Sequence, residues 1–166
     1  MKNLFVIIAL FLPINLSSQT LVEGSLKPLK EAGKVSLNLD FSEAQILGMS
    51  EEAFSEYEED WKVDLPVIVG YFIEELSEQV KDYFFVDVYN KSNIIIHVIV
   101  FSISEKGNYV CNVDIMDNNG IRLARIEDVV ARGGRFGTKL NLIKDGARHT
   151  GTALGKFLKK KLKRTY

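Results

Sequence analysis

The chain has 166 residues, with 21 Lys and Arg against 22 Asp and Glu, so its formal net charge is −1. This length suits one domain, and a chain of this size buries enough surface to fold without disulfides. Cys111 is the single cysteine. It excludes an intramolecular disulfide, and with no cysteine pair a zinc site is not expected.

The N-terminal residues predict where the protein works. A short basic start, Met1 to Asn3, precedes an apolar run from Leu4 to Leu12, and small polar residues follow it up to Ser18. This order is typical of a secretory signal peptide, and the run is too short to span a bilayer. We therefore expect residues 1–18 to be cleaved and the product to be periplasmic or secreted. No cysteine lies directly after the run, so a lipid anchor is not expected.

The rest of the chain is predicted to begin with a loose segment and to continue as one domain. Residues 19–33 show a mixed pattern and are expected to be extended or flexible. Residues 34–166 form the predicted domain. Its first element is a strand, because apolar and polar residues alternate from Lys34 to Phe41.

Two helices are predicted next. Ser50 supplies a capping hydroxyl for the first, and its aromatic stripe is expected to lie in the core. That stripe consists of Phe54, Tyr57 and Trp61. The second helix is expected to start at about Asp64, with Pro66 in its first turn, and to end at about Asp82.

From Tyr83 onward the apolar period changes to two and predicts an antiparallel meander. Its strands are expected at residues 83–89, 94–104, 109–116 and 121–130. The strand at 94–104 is apolar on both sides and needs cover on both.

A last helix is predicted at residues 139–163, where Gly151 and Gly155 favour close packing on the sheet. The predicted fold is therefore a single α+β domain in the order strand, two helices, strand meander, helix. We expect a mostly antiparallel sheet of about five strands, with the helices packed on one face.

Charge is distributed unevenly along the chain. Between Glu43 and Asp82 there are twelve acidic residues and two basic ones, whereas the last eleven residues hold six basic residues and no acidic one. Such asymmetry can indicate an anionic partner, but it favours two solvated helices that attract each other, because charge runs alone specify no partner.

No constellation of residues predicts catalysis, a metal site or a cofactor. His97 lies within the most apolar strand and is expected to be a core or edge histidine, and His149 is expected to be exposed early in the last helix. Neither has a partner at metal-ligand spacing. Cys111 shares its strand face with apolar residues and is expected to be a buried hydrophobe. The sequence therefore predicts a protein that is not an enzyme.

The glycine-rich loop at residues 131–137 is a candidate binding site. It fails the phosphate-loop pattern in spacing and in the order of Thr138 and Lys139. Arg132 and Arg135, with backbone amides at the start of the last helix, are nevertheless candidates to hold an anion, and Lys139 is grouped with them.

The lysine cluster near the C-terminus is the second candidate, consisting of Lys159, Lys160 and Lys161. Contact with a membrane surface is the functional hypothesis for this cluster, since Phe157, Leu158 and Leu162 lie among the lysines. Core packing of those apolar residues is favoured over that use. Nucleic-acid binding is not expected, because no known motif accompanies the cluster.

Four segments together resemble a group of small secreted proteins of unknown function from Gram-negative bacteria. They are Gly24–Lys30, Val35–Phe41, Met49–Glu52 and Gly151–Leu162. More remotely, the layout is similar to α/β domains of outer-membrane-associated lipoproteins of the curli-secretion type, although this chain lacks their lipid-anchor cysteine. Neither resemblance implies catalytic residues.

Three functional hypotheses follow from the sequence. The leading one is an exported, non-catalytic domain that binds another envelope protein, of unspecified oligomeric state. The alternative is a periplasmic small-molecule or lipid-binding protein with a pocket between the sheet and the C-terminal helix. An enzyme comes third and requires a cleft that gathers His97 or His149 with carboxylates.

Overall fold

A computed structural model of the chain describes residues 19–87 and 90–164. The predicted signal peptide at residues 1–18 lies outside the described residues. The described part is a single α+β domain, as predicted. Its helices and strands, in chain order, are β1 (Thr20–Gly24), α1 (Lys27–Ala32), β2 (Lys34–Asp40), β3 (Gln45–Ile46), β4 (Met49–Ser50), α2 (Glu51–Tyr57), α3 (Trp61–Val80), β5 (Phe85–Asp87), β6 (Ile94–Ile103), β7 (Tyr109–Asp117), β8 (Arg122–Ala131) and α4 (Lys139–Leu162).

The sheet is mixed and has eight strands in the described residues, whereas the sequence predicts about five strands in a mostly antiparallel sheet. Strands β1, β8, β7 and β6 pair antiparallel in that order, but β2 runs parallel to both β5 and β6. Strand β5 lies beyond β2 at the sheet edge, so the predicted meander is wrong at its first strand. The physical reason is that α2 and α3 form a long crossover between β2 and β5, and such crossovers join parallel strands.

The segment at residues 19–33 contains a strand and a short helix. Strand β1 pairs with β8 so closely that a Cβ at Gly24 would lie 1.9 Å from the Leu123 carbonyl oxygen. Helix α1 packs beside β2 and β6, where Leu29 is fully buried. A helix of six residues gives too little periodicity to be recognised in the sequence.

The two middle helices differ in how well the sequence predicts their starts. The predicted cap of α2 is confirmed, since the Ala53 N–H donates to Ser50 Oγ at 3.2 Å. Helix α3 begins at Trp61, earlier than the predicted start at Asp64, and Pro66 lies inside it. Because Pro66 has no N–H, the helix lacks one hydrogen bond there. Burial of Trp61 stabilises the additional turn.

The aromatic stripe is buried at two of its three positions. Phe54 and Trp61 are fully buried with ring centroids 5.1 Å apart, and Trp61 Nε1 donates to Glu51 Oε1 at 2.7 Å. Tyr57 is 57% exposed, so its predicted place in the core is wrong. The reason is that α2 ends at Tyr57, and Trp61 belongs to a separate helix.

Helices α3 and α4 approach each other at two glycines. A Cβ at Gly151 would lie 2.3 Å from the Phe72 carbonyl oxygen, and a Cβ at Gly155 would lie 2.6 Å from Gln79 Cβ. The sequence predicts close packing at these glycines correctly but assigns it to the sheet, which is wrong. Helices come closest where side chains are smallest, and the surface that meets these glycines is α3.

The sheet has one face that we call the covered face and one that we call the open face. Helix α4 lies over the covered face, since a Cβ at Gly146 would be 2.8 Å from the Tyr109 ring. The alternate residues lie on the open face, where Ile95, His97 and Ile99 are partly exposed. The covered face is lined by the buried side chains Val35, Ile96, Val98, Val100, Cys111, Val113, Ile115, Ala124 and Ile126.

Candidate functional site

The structure separates the residues predicted at the glycine-rich loop. Arg132 and Arg135 line a cleft beside the N-terminal half of α4, and Lys139 is not among its lining residues. Lys139 Nζ instead donates to the Tyr57 hydroxyl at 2.7 Å and lies 4.7 Å from that ring's centroid. This hydrogen bond raises the pKa of Lys139. Lys139 therefore joins α4 to α2, and the two arginines remain candidates for ligand binding.

The predicted lysine cluster is also divided. Lys159 Nζ lies 3.6 Å from an Asp82 carboxylate oxygen, which links α4 to the residues after α3. Lys160 and Lys161 line a cleft of about 430 Å³ at the C-terminal end of α4. The six predicted site residues thus lie in four separate places on the molecule.

The apolar residues among these lysines belong mainly to the core. Leu158 and Leu162 are fully buried, and Phe157 is partly buried. The two leucines are therefore not available to enter a membrane surface, in agreement with the core packing that the sequence favours. In the described part of the chain, we find no helix with the length and apolar character needed to span a bilayer.

The cleft that contains the two arginines is named the cationic cleft here. It has a volume of about 750 Å³ and lies between the β6–β7 turn, the segment after β8, and α4. Its lining residues are Lys106, Asn108, Arg132, Gly133, Gly134, Arg135, Asp145 and His149.

Close backbone contacts fix the walls of the cationic cleft. A Cβ at Gly133 would lie 1.8 Å from the Lys106 carbonyl oxygen, so no larger residue fits there without movement of the backbone. The Gly133 N–H also donates to Asn108 Oδ1 at 2.8 Å. On the other wall, a Cβ at Gly107 would lie 2.1 Å from the Leu142 carbonyl oxygen. The turn, the loop and the helix therefore hold one another in place.

Four residues that line this cleft are not predicted as site residues from the sequence, namely Lys106, Asn108, Asp145 and His149. Antiparallel pairing supplies the signal that could have found them. Strands β6, β7 and β8 form consecutive antiparallel pairs. The β6–β7 turn and the C-terminal end of β8 therefore lie at the same end of these strands. The start of α4 follows within a few residues.

The imidazole of His149 is held by a backbone carbonyl. His149 Nδ1 lies 2.7 Å from the Arg132 carbonyl oxygen. A carbonyl oxygen only accepts hydrogen bonds, so Nδ1 carries the proton. In the neutral ring, Nε2 is then an acceptor, and protonation converts it to a donor.

The second histidine lies on the open face beside a carboxylate. His97 Nε2 lies 3.2 Å from Asp40 Oδ2 on the neighbouring strand. The pKa of Asp40 is lowered, chiefly because the Ser42 N–H donates to Oδ1 at 2.9 Å, with a smaller effect of His97. His97 thus has a partner, as the sequence predicts, but it is partly exposed on a central strand, so its predicted place in the core or at an edge is wrong.

A cluster of paired charges crosses the open face from β7 to β1. Asp114 is 7% exposed, and its carboxylate oxygens lie 3.7 Å from Arg122 and 3.5 Å from Arg125. Arg122 also pairs with Glu23 at 3.0 Å, and Arg125 pairs with Glu127 at 3.0 Å. Each arginine therefore contacts two carboxylates.

Among the described residues, no nucleophilic side chain lines the cationic cleft, whereas Ser42 hydrogen-bonds to Asp40 beside His97. Burial raises the pKa of Cys111 to about 12, which keeps this thiol protonated. The lining residues of the cationic cleft include His149 and Asp145, but no Ser, Thr or Cys. Among the described residues, His, Cys, Asp and Glu form no group of three that could hold a metal ion.

Comparisons with known proteins give a likeness of fold only. No protein-family model matches this chain, and no curated protein matches it. Among solved structures, it is similar to PelC from Paraburkholderia phytofirmans, a dodecamer in space group P6, with 9% identity and a TM-score of 0.46 over 82% of this chain and 98% of that chain. A variant PelC dodecamer in space group C2 gives 10% identity and a TM-score of 0.44 over 86% and 98%. The overlap is partial at these TM-scores, and neither function nor assembly is carried over.

Proposed function

We propose that this chain is an exported, non-catalytic binding domain of the cell envelope that docks another protein on its open face. The signal-peptide pattern at residues 1–18 supports export. The docking surface is supported by one observation, the incomplete cover of the central strands on that face.

The open face exposes apolar side chains on strands that have a neighbouring strand on each side. Ile95 and Ile99 of β6 are partly exposed, although β6 has strands on both sides. Val110 and Val130 form a cross-strand pair and are 37% and 39% exposed. Apolar surface at the centre of a sheet is stabilised when another surface removes it from water.

The charges on the same face indicate the chemistry of the partner. Asp114, Arg122 and Arg125 already pair within the chain, and His97 pairs with Asp40. A partner therefore gains little by neutralising them and gains more from apolar contact. The occupant that fits is a second, different envelope protein whose contact surface is apolar at its centre.

The small-molecule alternative is supported by a separate observation, the cationic cleft between the β6–β7 turn and α4. Its polar and charged lining favours a polar small molecule over a lipid chain. Native mass spectrometry of protein from its own host tests this alternative. A stoichiometric bound mass supports it, and a clean mass of the chain alone contradicts it.

Site-specific photo-crosslinking tests the docking proposal. A photoreactive amino acid replaces Ile99 on the open face, and in a parallel chain it replaces Val67, which is exposed on α3. In envelopes of the source organism, we expect one adduct of defined mass from position 99 and none from position 67.

The dependence on the open face is tested with two matched substitutions. Val110→Glu is expected to abolish the adduct, because it places a charge in the apolar contact. Val63→Glu makes the same change at a 73% exposed site on α3 and is expected to leave the adduct unchanged. Equal yields from positions 67 and 99, or an adduct that survives Val110→Glu, would contradict the proposal. An adduct of two copies of this chain would also contradict it.

A further inference from the structure

The lining of the cationic cleft has more basic side chains than acidic ones. Lys106, Arg132 and Arg135 line it, and none of them forms an ion pair with a described carboxylate. Asp145 is the one carboxylate among its lining residues. Some lysines and arginines elsewhere are paired, for example Lys144 with Asp64 at 2.7 Å. The excess of cations in a concave site favours an anionic ligand.

The same cleft also offers hydrogen-bond acceptors to a ligand. His149 donates through Nδ1 to the Arg132 carbonyl, so Nε2 of the neutral ring is an acceptor. The Asp145 carboxylate is a second acceptor on the lining. A ligand that satisfies both kinds of group carries hydroxyl hydrogens in addition to anionic oxygens.

The size and rigidity of the cleft set the scale of the ligand. Its volume of about 750 Å³ suits a small molecule. The Gly133 N–H donates to Asn108 Oδ1 at 2.8 Å, and both residues line the cleft, so the wall that carries Lys106 is positioned before binding. Preorganisation of this kind reduces the entropy cost of holding the ligand.

We infer that the cationic cleft binds a small hydroxylated oxyanion, a sugar acid or a sugar phosphate, through Lys106, Arg132 and Arg135. Arginine guanidinium groups match carboxylate and phosphate oxygens in a bidentate way, so the two arginines on the lining suit either anion. His149 and Asp145 accept from the hydroxyl groups. This site uses no residue of the open face, so its test and the docking test fail independently.

Calorimetric titration of the folded chain tests this inference with three probes. Glucuronate carries the carboxylate, glucose 6-phosphate carries the phosphate, and glucose is the neutral control. We expect at least one anion to bind, glucose not to bind, and added salt to weaken binding. The preferred anion identifies whether a sugar acid or a sugar phosphate is the ligand.

Two double variants with equal loss of charge locate the site. Arg132→Gln with Arg135→Gln is expected to weaken the binding about tenfold or more, because it removes the two guanidinium groups that donate charge-assisted hydrogen bonds to the anion. Lys62→Gln with Lys163→Gln removes the same charge from residues that do not line the cleft and is expected to change affinity less than about twofold.

Three results would overturn the inference. One is no binding of either anion by the wild-type chain, and another is binding of glucose as tight as that of the anions. The third is an equal loss of affinity in the two double variants, which would indicate attraction by net charge alone. Thermal unfolding of each variant confirms that the arginine substitutions, which lie at exposed positions, leave the fold intact.

Discussion

The two faces of the sheet are built from the same strands but stabilise the molecule differently. On the covered face, Val98 and Val113 are fully buried opposite each other on β6 and β7. On the open face, the neighbouring pair is His97 and Asp114, both polar, and Asp114 lies within 4 Å of two arginines. Successive residues of one strand thus serve the core and the surface in turn.

This difference separates the residues that hold the fold from the residues available for binding. Substitutions on the covered face leave cavities or unsatisfied groups, and the free energy of unfolding decreases. Substitutions of the partly exposed apolar residues on the open face remove surface that is already in contact with water, so stability changes little. The open face can therefore change its contacts without loss of the fold, as a docking surface requires.

Substitution of two neighbouring isoleucines of β6 is expected to give the largest difference between the faces in the free energy of unfolding. Ile96 is fully buried on the covered face, and Ile95 is partly exposed on the open face. We expect Ile96→Ala to lower the free energy of unfolding by about 2–5 kcal/mol and Ile95→Ala to lower it by about 1 kcal/mol or less. Denaturant unfolding of both variants measures the difference, and equal losses would show that both faces are covered.

Glycines of the two long helices test the close packing above the covered face. Gly151→Ala places a Cβ 2.3 Å from the Phe72 carbonyl oxygen, so α3 and α4 must move apart. We expect a loss of about 1–3 kcal/mol in the free energy of unfolding. Gly70→Ala on the exposed side of α3 is the control, because no atom lies within 4 Å of its added Cβ.

The control is expected to have the opposite sign. Alanine favours the helix over glycine by about 1 kcal/mol, so Gly70→Ala is expected to stabilise the chain. Thermal unfolding of the two single variants measures both effects. A stable Gly151→Ala variant would show that the helices are not in backbone contact at this position.

The sequence predicts local features of this fold well where the physical cause is local. The Ser50 cap and the limits of α4 depend on residues within a turn or two, and the structure agrees with both within a few residues. The place of β5 in the sheet depends on which strand it pairs with after a crossover of two helices. No pattern within Phe85–Asp87 contains that information.

The same distinction applies to the cationic cleft. Arg132 and Arg135 are recognisable in the sequence, because a glycine-rich loop with arginines before a helix is a local pattern. Lys106 and Asp145 come from other elements and join them only through the tertiary structure. Lys139 is near in sequence but its side chain is held by Tyr57, which no local pattern indicates.

Titration of Cys111 is expected to have the smallest effect on the free energy of unfolding. It tests whether the covered face excludes water. Burial raises its pKa to about 12, whereas the unfolded thiol has its usual pKa of about 8.5. Between these values the unfolded chain binds fewer protons than the native chain, so stability decreases as the pH rises through that window. Relative to Cys111→Val, we expect the wild-type chain to lose about 1–2 kcal/mol between about pH 8 and pH 10.

A cysteine on the open face provides the matched control. In the Cys111→Val background, Val110→Cys moves the thiol by one residue, from a buried position to one that is 37% exposed. Water reaches that position in the native state, so we expect little difference between its native and unfolded pKa and no added loss of stability at alkaline pH. Denaturant unfolding at several pH values distinguishes the two chains. Parallel pH profiles for the wild-type chain and the control would show that water enters the covered face at β7, and the contrast between the two faces would then not extend to that strand.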